Sequence, residues 1–251
     1  LFYLNILRDG AGMINREIGF AEELVKRGHK VTILSHFQAI KKVDPRITVH
    51  TIFNRPYSKW FYGKPAGFLK TKQKMQRVLE QTRPDIVMVD LPHEADWAIR
   101  FREQFGYQVV FTYHGVASQK YYKGKVGTEL MRLRDYGHAM LQKSDQVIVV
   151  SDFLLGETRS LAVDATRIHN GVDRSVYNDE NTIAGLTSEQ PILLFIGRYT
   201  PYKGAINIVK GFALVAKTYP EAVLVMRGYF EDAKYVERMR KIIAKAGIEK
   251  R

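Results

Sequence analysis

The residues best suited to chemistry lie in a short loop bounded by two glycines, Gly197 and Gly204. The loop follows an apolar run and precedes a helix-like segment, so we expect it at the carboxyl end of a strand, where α/β sheets bind ligands. Its two cations, Arg198 and Lys203, can converge on one anion beside the first N–H groups of the helix. A diphosphate fits that description. The alternative is a solvated basic turn, and spacing alone does not choose between the two.

Three other segments carry weaker signals. Gly10 and Gly12 precede the first helix-like segment, where glycine lets the backbone approach a phosphate, although such a pair alone more often marks a tight turn. His114 directly follows an apolar run, and a histidine at the end of a strand can bind a ligand or move a proton. A lone histidine is more often structural. The Asn170-Gly171 pair indicates a loop and nothing more.

The elements that must position these residues alternate along the whole chain. Apolar strand-like runs and amphipathic helix-like segments follow each other, which predicts an α/β fold with doubly wound parallel sheets. The predicted strands are residues 1–7, 31–34, 47–53, 85–89, 108–113, 146–150, 191–196 and 222–227. The predicted helices are residues 14–25, 68–81, 94–104, 128–143, 205–218 and 232–246.

A polar segment at residues 174–190 has few core-forming side chains and predicts a linker. It would separate an N-terminal Rossmann-like domain at residues 1–173 from a second domain that begins at residue 191. Residues 191–251 hold only two predicted strand–helix units, whereas a doubly wound domain has about five strands or more. We therefore expect the second domain to be incomplete and both ends of the sequence to be cut.

Composition limits the possible partners. The chain of 251 residues has a net charge of +13, which predicts anionic partners, and it contains no cysteine, which excludes disulfides and a thiolate metal site. No run of about 18 apolar residues is present, so no segment is predicted to span a bilayer.

The segment Arg46–Leu79 contains many basic residues and several aromatic ones but no Asp or Glu. That combination suits an anionic membrane surface. The alternative is a solvated face whose aromatic side chains lie partly in the core. The segment's basic residues after Arg46 are Arg55, Lys59, Lys64, Lys70, Lys72, Lys74 and Arg77.

Taken in order, four segments of the chain resemble glycosyltransferase family 4. They are residues 12–31, 144–151, 169–173 and 197–204. The resemblance implies a GT-B fold of two facing Rossmann-like domains and sugar transfer from a nucleotide-diphosphate sugar with retention of configuration. It implies that Arg198 and Lys203 bind the donor diphosphate, that Gly12 faces the same diphosphate, and that His114 lies near the transferred sugar. The glycines expected at the donor site are Gly10, Gly12, Gly197, Gly204 and Gly228.

The chain departs from the family pattern in three places. Ala11-Gly12 stands where the family usually has two glycines, and Tyr229-Phe230 follows Gly228 where a second small residue is common. The family's acidic segment, with two Glu eight positions apart, is missing, and we expect it beyond Arg251. For that reason we expect these 251 residues alone to be inactive.

The resemblance also implies partners and a mechanism. Cations would stabilise the departing diphosphate, and no metal or other cofactor is expected. We expect a cytoplasmic enzyme at the inner face of the membrane, with a glycan, lipid or lipid-linked glycan as acceptor. A nucleic-acid partner is not expected, because no recognised module for one is present. The alternatives are a nucleotide-sugar 2-epimerase of the same fold and a non-catalytic basic binding protein.

Overall fold

The computed structural model describes residues 2–5, 12–37, 42–53, 65–115, 124–172, 190–228 and 233–251. Within these ranges the chain divides into two compact units. The first contains a seven-stranded sheet, and the described residues of the second are 124–128, 190–228 and 233–251.

The first unit is built on a fully parallel sheet. Its strands are β1 (Phe2–Asn5), β2 (Thr32–Phe37), β3 (Thr48–Phe53), β4 (Ile86–Val89), β5 (Gln108–Tyr113), β6 (Gln146–Val149) and β7 (Thr166–Arg167). They are arranged in the order β3-β2-β1-β4-β5-β6-β7, and every neighbouring pair is parallel. The chain winds outward from β1 to β3 and then restarts at β4 on the other side of β1. The topological switch point therefore lies between β1 and β4, and doubly wound sheets bind ligands at that point.

Five helices cover the two faces of this sheet. They are α1 (Gly12–Lys26), α2 (Pro65–Thr82), α3 (Pro92–Phe105), α4 (Gly124–Lys143) and α5 (Asp152–Ser160). Successive residues of β4 point to opposite faces: Val87 and Val89 join the core beneath α2, α3 and α4, whereas Met88 joins the core beneath α1. Burial on both faces explains why the central strands are continuous apolar runs.

The second unit repeats the same pattern on a smaller scale. Strands β8 (Ile192–Ile196) and β9 (Val223–Arg227) pair in parallel, and helices α6 (Ala205–Thr218) and α7 (Ala233–Ala246) pack on one face of the pair. A 3-10 turn at Pro201–Lys203 precedes α6. Leu194 and Ile196 on the other face are 57% and 72% exposed. Residues 191–251 thus supply two strand–helix units, as the sequence predicted.

The predicted fold class is confirmed, and most element boundaries agree within a few residues. Helix α2 starts at Pro65 and α4 at Gly124, three and four residues before their predicted starts. Helix α5 and strand β7 were not predicted, because nine and two residues are too short for a clear period. All of the predicted linker except Gln190 lies outside the described residues.

None of the helices in the described ranges is both long enough and apolar enough to cross a bilayer.

Candidate functional site

The predicted basic loop lies at the carboxyl end of β8, between that strand and α6. Gly197 N–H donates to Arg227 O at 3.0 Å, so the loop leaves the sheet directly after the last strand pair. Gly204 has φ of 73°, a left-handed conformation that disfavours side chains, and its N–H bonds back to the carbonyl of Pro201. This glycine ends the 3-10 turn and begins α6. The turn therefore fixes where Lys203 stands relative to the helix.

The two predicted cations of the loop meet on one aromatic ring, that of Tyr202. The guanidinium carbon of Arg198 and Lys203 Nζ each lie 5.4 Å from the ring centroid. Arg198 also donates an Nη2 hydrogen bond to the Tyr202 hydroxyl. Arg198 is half-buried and Lys203 is exposed. The ring thus gathers two positive charges at the start of a helix, an arrangement that can bind an anion.

The start of α6 adds to this positive end. Gly204 is the capping residue and offers no side-chain acceptor to the first turn. Ile206 N–H donates to Tyr235 Oη at 3.2 Å, so α7 holds the beginning of α6 in place. The aligned peptide dipoles make a helix N-terminus attractive to anions.

Gly228, which follows β9, lies against the same loop. A Cβ atom at this position would lie 1.9 Å from the carbonyl oxygen of Gly197 and 3.4 Å from the ring of Tyr199. Glycine is therefore required here by backbone packing. The close approach holds the first residue of the basic loop against the neighbouring strand end.

Two predicted residues of the first unit, Gly12 and His114, lie at the carboxyl edge of its sheet. Gly12 is the first residue of α1, and Gly10 lies outside the described residues. His114 follows β5 and is followed by Gly115, whose φ is 79°. His114 Nε2 lies 3.2 Å from Oδ1 of Asp90, the residue that follows β4. His114 therefore contacts Asp90 at the end of β5, the strand that neighbours β4.

Asp90 is the centre of a buried ionisable cluster that the sequence did not predict. Arg16 Nη1 lies 3.7 Å from Asp90 Oδ1, and the two side chains are 9% and 1% exposed. Burial raises the pKa of Asp90, but its neighbours Glu17, His114 and Arg16 outweigh burial and leave the pKa below its ordinary value. Asp90 is therefore an ionised carboxylate at neutral pH, beside a guanidinium of opposite charge.

Glu17 in α1 is the acidic partner of Asp90 whose pKa is raised. Burial, followed by the nearby Asp90 carboxylate, raises its pKa well above the ordinary value. Within the described residues, the two carboxyl oxygens of Glu17 make no well-formed hydrogen bond. The same is true of Oδ2 of Asp90. A proton retained on Glu17 would give Asp90 Oδ2 the donor that it lacks.

Glu94 has a structural role at the start of α3. Its Oε2 accepts hydrogen bonds from Leu91 N–H at 3.1 Å and Asp90 N–H at 3.3 Å, which satisfies two donors at the helix N-terminus. Burial and the Asp90 charge raise the pKa of Glu94 well above its ordinary value. By holding the backbone at residue 90, Glu94 fixes the position of the Asp90 side chain.

Two features of the sequence point to individual members of this cluster, although not to their contact. Glu17 stands one helical turn before Ala21, which stands one turn before Val25, so an acidic residue lies on the buried stripe of α1. Asp90 follows an apolar run just as His114 does. Their contact was not predictable, because it depends on β4 and β5 being neighbours in the sheet.

The sites in the two units differ in chemistry. The second unit carries the exposed basic loop, and the first carries the buried cluster with His114 at its edge. Within the described ranges, no group of three or more His, Cys, Asp or Glu side chains is arranged to hold a metal ion.

Solved structures with this architecture are glycosyltransferases from several organisms. Sucrose-phosphate synthase from Thermosynechococcus elongatus has a TM-score of 0.77 at 17% identity, covering 100% of this chain and 68% of its own. Anabaena HepE in complex with UDP and glucose has a TM-score of 0.69 at 15% identity, covering 99% and 66%. The catalytic domain of Starch Synthase IV from Arabidopsis thaliana, bound to ADP and acarbose, has a TM-score of 0.66 at 14% identity, covering 99% and 72%. The chain therefore spans about two thirds of the length of these structures.

The fold and the family models together define the class of protein, a glycosyltransferase of the GT-B fold. The model described as Glycosyltransferase Family 4 matches residues 17–176, and the model described as Glycosyl transferases group 1 matches residues 178–251. The chain belongs to glycosyltransferase family 4, which confirms the resemblance noted in its sequence. No curated protein sequence matches it significantly.

Proposed function

We propose that this protein transfers a sugar from a nucleotide-diphosphate sugar to a glycan, lipid or lipid-linked glycan, with retention of configuration. The observation that carries the proposal is the placement of Arg198 and Lys203 against one ring, that of Tyr202, at the start of α6. Relatives of the same fold are solved with UDP, UDP-glucose and ADP, which supports a nucleotide-linked donor.

The basic loop would act on the leaving group. Cleavage of the sugar–phosphate bond places negative charge on the diphosphate, and cations already in position stabilise that charge as it develops. Arg198 offers planar paired donors, whereas Lys203 offers a single exposed charge. We propose that the two together replace a metal ion in this role, so no metal or other cofactor is required.

His114 would act on the sugar itself. Its side chain is 19% exposed while its Asp90 partner is 1% exposed, so part of the imidazole remains accessible. An accessible ring nitrogen can hydrogen-bond a sugar hydroxyl. The glycine at the start of α1, Gly12, would let a phosphate group approach the backbone at that helix start.

Helix α2 supports a role for the membrane in presenting the acceptor. Lys70, Lys72 and Arg77 are exposed on it, together with Leu69 at 56%, and its buried residues face the core. Arg46, at the other end of the predicted basic segment, pairs with Asp44 at 2.7 Å, so its charge is locally compensated. Arg55, Lys59 and Lys64 of the same segment lie outside the described residues. We therefore propose α2 as the described part of the membrane contact, and a cytoplasmic enzyme at the inner face of an anionic membrane.

The decisive experiment measures the release of free nucleoside diphosphate from a panel of nucleotide sugars by the whole protein, with a chelator present. A transferase releases the diphosphate in proportion to acceptor, and the anomeric configuration of the product is then read by NMR. An epimerase that returns its product releases none, and a non-catalytic binding protein leaves every donor intact. Either of these outcomes, or an inverted product, would refute the proposal.

A further inference from the structure

The contact between His114 and Asp90 has a defined polarity. A carboxylate oxygen only accepts hydrogen bonds, so at 3.2 Å the hydrogen lies on Nε2 of His114. In the neutral imidazole the other ring nitrogen, Nδ1, is then the acceptor. An interaction with the buried carboxylate thus decides which nitrogen carries the hydrogen and how the ring is turned.

The surroundings keep Asp90 in the charged form that this role needs. Arg16 supplies a compensating positive charge at 3.7 Å, and Glu17, whose own pKa is raised by burial, lowers the pKa of Asp90. Glu94, whose pKa burial raises, holds the backbone at Asp90 through two N–H groups. These three residues come from α1 and α3, so two helices converge on one carboxylate beside β5.

We propose that Asp90 is the positioning residue for His114: it holds the imidazole with Nε2–H turned into the fold and Nδ1 presented to a hydroxyl of the bound sugar. The inference rests on the proposed function, because it assigns His114 to the sugar. It adds a residue that acts through His114 without touching the substrate. It also assigns Arg16 and Glu17 a shared role, which is to keep Asp90 ionised in a buried place.

A first experiment needs no substrate. In the whole protein labelled with ¹⁵N-histidine, a hydrogen-bonded ring N–H that is shielded from solvent gives a one-bond correlation visible in water. We expect such a signal from Nε2 of His114, identified by its loss in His114→Gln. It should disappear in Asp90→Leu, which has no acceptor, and move upfield in Asp90→Asn, whose amide oxygen is a weaker acceptor.

The chain supplies two internal references for this measurement. His138 Nε2 lies 3.0 Å from Glu157 Oε1, so a second ring N–H signal should persist in every Asp90 variant and report an intact fold. Asp96 pairs with Arg100 on α3, and Asp96→Asn should leave the His114 signal unchanged. A His114 signal that persists in Asp90→Leu, or that is absent from the unmodified protein, would overturn the proposal.

A second experiment separates positioning from a merely structural effect. We expect Asp90→Asn to lower kcat for sugar transfer at least about tenfold, with a smaller change in the donor KM. If Asp90 acts through His114, the same substitution in a His114→Gln background should change kcat less than about twofold. Equal losses in both backgrounds would contradict the proposal.

The two experiments fail in different ways. Full transfer activity in His114→Gln would remove His114 from the proposed function while leaving the spectroscopic result intact. Loss of activity in Asp90→Asn without any change in the His114 signal would instead refute the positioning role and leave the proposed function standing.

Discussion

The backbone of Gly228 lies directly against the carbonyl of Gly197, so closely that a Cβ at residue 228 would stand 1.9 Å from the Gly197 oxygen. These two glycines follow β9 and β8, and their contact joins the ends of the two strands beneath the basic loop. A shift of one strand end would therefore move the residue immediately before Arg198. The geometry of the basic loop therefore depends on Gly228, which has no functional group in its side chain.

We expect Gly228→Ala to destabilise the second unit and to reduce sugar transfer. Since the clash is with backbone, the strand ends must separate, and overpacking of this kind costs about 1–3 kcal/mol. Urea unfolding and donor KM measure the two effects. The matched control is Gly211→Ala in α6, where a Cβ meets nothing within 4 Å, and helix propensity should stabilise that variant by about 1 kcal/mol. Equal stability of the two variants would contradict the packing argument.

The second prediction concerns the cations themselves. Replacing Arg198 or Lys203 with alanine should lower kcat by about 10²–10³, because each removes a charge that stabilises the departing diphosphate. The measurement is steady-state release of nucleoside diphosphate by the whole protein. Lys210→Ala removes an exposed charge from α6 outside the loop and should have little effect. Near-normal turnover in either loop variant would exclude that residue from the mechanism.

The two sites differed in how far the sequence could predict them. The basic loop was predictable because its residues are contiguous, and because glycine and lysine stand at fixed positions between a strand and a helix. The predicted helix at residues 205–218 and the strand at 108–113 match α6 and β5 residue for residue. Local patterns such as these predict single elements without requiring the order of strands in the sheet.

The Asp90 cluster was not predictable in the same way. Its members follow β1, β4 and β5, which are adjacent only because the chain restarts on the other side of β1. The alternation of strands and helices predicts a parallel sheet but not the order of its strands. The buried position of Glu17 was visible in the period of α1, but its partner was not.

The third prediction follows from the raised pKa of Glu17. The pKa of Glu17 is raised in the folded state. Its contribution to the free energy of unfolding is therefore fully present below the ordinary pKa of 4.5, and it is lost as the pH rises through the folded-state pKa. Glu94 acts in the same direction. The contribution of these two residues to the free energy of unfolding should therefore fall as the pH rises above 4.5, by up to about 1.4 kcal/mol per pH unit for each proton retained.

Glu17→Gln tests this directly, because the amide keeps the shape of the acid without its titration. We expect the variant to gain stability relative to the unmodified protein as the pH rises from about 5 to about 8 in urea unfolding. Glu23→Gln is the control on the same helix, since Glu23 is exposed and pairs with Arg27. A difference between Glu17→Gln and the unmodified protein that does not change with pH would show that Glu17 does not titrate above its ordinary range.

The last prediction concerns the membrane contact. Helix α2 presents Lys70, Lys72 and Arg77 to solvent, and each basic residue near an anionic surface contributes about 1 kcal/mol, fading within a Debye length. The whole protein should therefore sediment with vesicles that contain anionic lipid and should not sediment with neutral vesicles. The binding to anionic vesicles should weaken as the salt concentration is raised. Changing these three residues to Glu should abolish the binding. The same change at Arg238, Arg240 and Lys245, which are exposed on α7, alters the net charge equally and should leave most of the binding intact. Equal losses from the two triple variants would assign the attraction to the overall charge of +13 and not to α2.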